Sequence, residues 1–157
     1  MSIRKIFLAL AITGTLLSAP NSSDAQGGAQ GLLAKVKGLK CTFPLMAVGT
    51  WGSEQPKAEI KPANLVLQFE AINTDEGTAE LKGNYGKYDI IVRYAQGYLH
   101  FIQSLLDGPL YVTTILEKKT AGGKLKAMYS KHEFTDVSLP GFTSSPEQYY
   151  GECEIVN

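Results

Sequence analysis

Charge of one sign is what this sequence lacks most plainly: 15 basic residues are matched by 15 acidic ones over 157 positions. With no positive field to gather phosphates, no nucleic-acid partner is expected. Long apolar runs are also scarce. The one such run, Ile6 to Leu17, is broken by Gly14 and followed by Pro20, too short to cross a bilayer, so no stable membrane insertion is expected. There are only two cysteines and two histidines, with no Cys-x-x-Cys, no Gly-rich phosphate loop and no Gly-x-Ser-x-Gly. Zinc ribbons, nucleotide folds and the common serine hydrolases therefore lose their signatures.

What is present begins with an address. Arg4 and Lys5 precede the apolar run, and Ser23-Asp24-Ala25 supplies small residues for cleavage, so residues 1–25 read as a removed signal peptide. The product is expected to be exported, to a periplasm or the extracellular space. Loss of Arg4, Lys5 and Asp24 leaves 13 basic and 14 acidic residues, a net charge of −1. Residues 26–40 are expected to form a flexible leader followed by a short helix over Gly31–Lys40, and residues 41–157 one β-barrel domain.

That domain alternates with a period of two. Leu65–Glu70, Tyr88–Tyr94, Tyr98–Leu105, Leu110–Glu117 and Lys124–Thr135 read as strands, joined by Cys41–Trp51, Thr78–Lys82 and Tyr149–Ile155. Gly, Asn and Asp punctuate the gaps, as in Asn73–Gly77, Ala95-Gln96-Gly97 and Ala121-Gly122-Gly123. The expected fold is all-β: a single antiparallel meander closing into a barrel of about eight strands. Cys41 and Cys153 lie near opposite ends of the exported chain, in a compartment where thiols oxidise, and are expected to bond to each other. Such a bridge requires the first and last strands to be neighbours, which closes the sheet.

Alternation gives an inward set of Leu65, Leu67, Phe69, Leu81, Tyr88, Ile90, Val92, Tyr94, Leu99, Phe101, Leu110, Val112, Leu116, Leu125 and Tyr129. These side chains are large enough to fill an eight-stranded interior or to line a pocket for one apolar molecule. Gly49-Thr50-Trp51, following a short N-terminal helical stretch, resembles the Gly-x-Trp signature of calycins, the lipocalin-like barrels. That resemblance implies an eight-stranded barrel with the tryptophan closing one end. The last strand, Tyr149–Ile155, carries no basic residue to pack over that tryptophan, where calycins usually place one.

Three roles are carried forward. The first is a non-enzymatic exported binding module holding a small apolar molecule in the barrel mouth, lined by Tyr88, Tyr94, Phe101 and Tyr129. The second is a protein-binding or inhibitor barrel. It would act through the long connection 136–148, where Phe142, Tyr149 and Tyr150 are the natural anchors. The third is an enzyme, or a heme or metal protein, using His100 and His132. Two ligands alone make a poor metal site, and neither histidine belongs to a ligand cluster, so no cofactor and no catalytic residue is expected.

Overall fold

Alternating apolar and polar residues fold as strands because one face then packs inward. The computed structural model, which describes residues 31–51, 55–83, 86–135 and 144–156, contains eight of them. They are β1 (Leu39–Trp51), β2 (Pro56–Asn73), β3 (Thr78–Gly83), β4 (Gly86–Ala95), β5 (Tyr98–Ser104), β6 (Leu110–Lys119), β7 (Leu125–His132) and β8 (Glu147–Ile155). Each pairs antiparallel with the next, and β8 returns to β1, so the sheet is a closed barrel. The all-β meander expected from the alternation is the observed fold. The expected signal peptide and flexible leader lie outside the described residues.

The closure is where the cysteines sit. Cys41 of β1 and Cys153 of β8 are paired in register, with Cα atoms 4.0 Å apart, and form the disulfide, buried in the barrel. Two strands need extra residues to bend into the ring. Between Thr42 and Leu45, β1 places two residues opposite Gly151 of β8, a bulge that includes Pro44. Between Glu70 and Asn73, β2 bulges against β3, and Ala71 there takes a positive φ of 50°.

In place of the helix expected over Gly31–Lys40 there is one 3₁₀ turn, Leu32–Ala34, and β1 already starts at Leu39. So short a stretch cannot offset the cost of nucleating a helix. The turn nevertheless closes one end of the barrel, burying Leu33 and Val36 in the core. Its Leu32 N–H donates to Glu117, the Tyr94 hydroxyl reaches the same carboxylate at 3.5 Å, and the Thr74 hydroxyl donates to Ala34 O at 2.7 Å.

The inward set needs one correction. On β6 the residues facing inward are Thr113 and Ile115, opposite Phe101 and Leu99 on β5, so Leu110, Val112 and Leu116 lie on the outer face. Thr113-Thr114 blurs the alternation there, and both faces of the strand carry apolar groups. Trp51 also departs from the calycin pattern: it is the last residue of β1, at the open end, 61% exposed, with its ring edge-on to Phe134 at 5.4 Å. It closes nothing.

Candidate functional site at the open end of the barrel

The end opposite the 3₁₀ turn is built on a packed floor. Phe69 and Phe101, brought inward from β2 and β5, stack with centroids 4.0 Å apart and planes within 9°. Both are buried, and Phe43 and Ile90 join the same core. Above that floor, successive inner positions of β6, β7 and β8 are tyrosines. Thr113 pairs with Tyr129 and Tyr129 with Tyr149, while Tyr111 lies two residues along β6 from Thr113. The Tyr129 ring lies 5.5 Å from Tyr149, 6.3 Å from Tyr111 and 6.2 Å from Phe43. Offset, tilted aromatic pairs of this kind hold one another in place.

The void left inside is about 30 Å³, lined by Phe101 and Tyr129 together with Leu67, Phe69, Leu81, Ile90, Gln103, Tyr111 and Thr113. That is room for about two waters.

The phenols point toward a collar of acids. Tyr111 donates to Glu133 Oε2 at 2.8 Å, and Tyr149 to Glu147 Oε2 at 2.7 Å. Ser144 donates its hydroxyl to Glu133 Oε1 at 2.6 Å, and Lys131 Nζ lies 3.4 Å from Glu133 and 3.9 Å from Glu147. Hydrogen bonds from Ser144 and Tyr111 hold the Glu133 carboxyl below the usual carboxylate range. Burial and the neighbouring Glu133 push Tyr111 up to about 12; burial and then the charges of its neighbours raise Tyr129, and burial and then the hydrogen bond to Glu147 raise Tyr149. In this collar the Tyr111 and Tyr149 hydroxyls donate and the Glu133 and Glu147 carboxylates accept.

Around the collar stands an apolar crown. Trp51 and Phe134 form their edge-on pair, Ile60 on the projecting β1–β2 hairpin is 75% exposed, and Leu106 at the β5–β6 tip is fully exposed. The long connection leaves from the same rim. Its neck is pinched by Ser144 N–H donating to Thr135 Oγ1 at 2.8 Å and Thr135 N–H donating to Ser144 O at 3.1 Å. Phe142 and residues 136–143 lie outside the described residues.

The proposed ligand-lining residues are dispersed. Tyr88 is on the rim and 42% exposed, Phe101 and Tyr129 share the small internal void, and Tyr94 is at the closed end beside Glu117. Of the loop anchors, Tyr149 turns into the mouth and Tyr150 faces outward and is exposed. His100 sits on the outer face, its Nδ1 3.0 Å from Thr114 Oγ1 and its ring stacked with Tyr98. His132 is exposed at the end of β7. They pair with Thr114 and Leu110 of β6, so they stand four residues, roughly 14 Å, apart along that strand. Among the described residues, no three His, Cys, Asp or Glu side chains are placed to hold a metal ion. Sequence reading missed Tyr111, because the β6 alternation misled, and the Trp51–Phe134 contact, because it joins two loops' ends.

No helix among the described residues is long and apolar enough to cross a membrane. Comparison with protein-family models, with curated proteins and with solved structures gives no match to this chain.

Proposed function

We propose that the chain is a non-enzymatic, exported binding module that engages a protein partner through the open rim of its barrel. The observation that supports this reading is the contrast between a filled interior and an apolar rim. Ligand pockets for small molecules usually measure about 300–1,000 Å³. The void inside the barrel is about 30 Å³, so an apolar guest entering the interior, as opposed to the open cleft of about 420 Å³ beside Glu133 and Phe134 on the rim, would have to displace Tyr129 or the Phe69–Phe101 stack. A partner at the rim asks for no such rearrangement. The exposed aromatic pair of Trp51 and Phe134 beside a polar collar has the composition of an interface anchor with a polar surround. The lipocalin-like likeness is kept here at the level of architecture: a meander barrel with one end closed and one end carrying the recognition surface. Export fits the buried disulfide, since such bonds persist in oxidising compartments.

The test is site-specific photo-crosslinking in the host compartment, with the probe at Trp51, Leu106 or Phe134 on the rim and at Tyr98 near the closed end as control. Rim probes are expected to capture one recurrent protein and the Tyr98 probe not to. Equal or absent capture at both ends would refute the reading.

A further inference from the structure

The barrel wall is not fully stitched. β4 and β5 pair only from Ile91↔Ile102 to Ala95↔Tyr98, yet β4 continues back to Gly86 against β3, and β5 continues to Ser104 against β6. At the open end the two strands therefore part, leaving between them a groove of about 480 Å³ whose lining includes Tyr88, Ile90, Ile102 and Leu105.

Main-chain groups face that groove. Val92 donates its N–H to Gly77 on the β3 side at 2.7 Å, so by alternation Lys87 and Asp89 turn their N–H and C=O toward β5. Leu105 donates to Pro109 on the β6 side at 2.9 Å, so Ser104 turns toward β4. All three residues are exposed. Unpaired strand edges are templates for another chain unless they are blunted. A second free edge among the described residues, β2 ahead of Gln68, is blunted: it carries Pro56, Lys57, Lys61 and Pro62. The β4–β5 gap has no proline on either wall, and its one lysine, Lys87, is held by Glu80 at 2.6 Å and Glu70 at 3.0 Å. Charge also points outward here. Asp89 stands opposite Glu80 across β3–β4, a like-charge pair, and no cationic side chain among the described residues reaches Asp89.

We propose that this gap takes up an extended segment of the partner protein as an added strand, with a basic residue opposite Asp89 and an apolar neighbour facing the exposed ring of Tyr88. Main-chain bonding would supply the affinity and the alternate side chains the selectivity. The inference rests on the protein-binding reading above and gives the partner's contact segment its chemistry.

The experiment is selection of a phage-displayed library of random linear peptides on the full, disulfide-closed protein, followed by amide hydrogen exchange with the best synthetic peptide bound. The expected peptides carry an apolar residue next to a Lys or Arg and slow exchange at Lys87, Asp89 and Ser104. Asp89→Pro, which removes both the main-chain donor facing the gap and the carboxylate, should weaken binding at least tenfold. Asp89→Lys, which keeps the ladder intact, should reverse the preference to acidic peptides. Selected peptides that protect only amides near Trp51 and Phe134 would end the added-strand inference and leave the rim reading standing. An absence of any selected peptide, or unchanged charge preference in Asp89→Lys, would overturn the inference as well.

Discussion

Phe101 illustrates how one side chain decides between a hollow and a filled barrel. It is buried and stacked on Phe69 at 4.0 Å, so its ring is part of the core rather than the wall of a vacancy. Truncation removes that stack and leaves a cavity, and Phe101→Ala is expected to cost about 3–5 kcal/mol, read as a fall in the urea midpoint. Glu133 and the tyrosines give the molecule its pH limits. The Glu133 carboxyl is held below its ordinary 4.5, so its contribution is in place above that pH and drains away as pH falls through the lowered value. Tyr111 is raised from 10.0 to about 12, so the opposite holds: its contribution is complete below pH 10 and is lost as pH rises toward 12. Denaturation midpoints measured across pH should therefore fall at both extremes. In the same titration the phenolate absorbance of Tyr111, Tyr129 and Tyr149 should rise at pH above the ordinary phenol range.

Strands show why some of this architecture was legible in the sequence and some was not. Leu65–Glu70 and Tyr88–Tyr94 have one buried face each, so alternation and register agree, and both were readable. β2 was read as starting at Leu65 but runs from Pro56, because Pro56 and Pro62 look like breakers. They are tolerated because that stretch pairs on one side only, with β1, and leaves its other edge free. β6 presents apolar residues on both faces, so nothing local decides which face is inner; pairing with β5 decides it. The candidate rim was half readable. The 136–148 connection can be read in the sequence from its length, but the Trp51–Phe134 contact depends on where two strands stop. The β1 bulge makes a sharper demand at this scale. A Cβ on Gly151 would sit 2.8 Å from Phe43 Cα and closer still to Thr42 O, both main-chain atoms that cannot swing aside. Gly151→Ala is expected to destabilise by about 1–3 kcal/mol in chemical denaturation, although alanine is otherwise acceptable in strands.

As a whole, the molecule is a ring held shut at one seam. The Cys41–Cys153 bond joins β1 to β8 across a separation of 112 residues, and a loop near that length limits the unfolded chain enough to contribute about 4–5 kcal/mol in the chain-entropy account. Cys41→Ala with Cys153→Ala should therefore lower stability by about 2–5 kcal/mol while leaving the β-rich circular dichroism spectrum in place at low temperature. The two ends of the ring differ in kind: the 3₁₀ turn seals one with Leu33 and Val36, and the other presents a polar collar inside an apolar crown. The proposed function puts the working surface on the outside of the barrel, at the open end. Native mass spectrometry of the protein recovered from its own compartment tests this most directly. The mass should be that of the disulfide-closed polypeptide with no small molecule attached; a stoichiometric apolar ligand surviving purification would contradict the account.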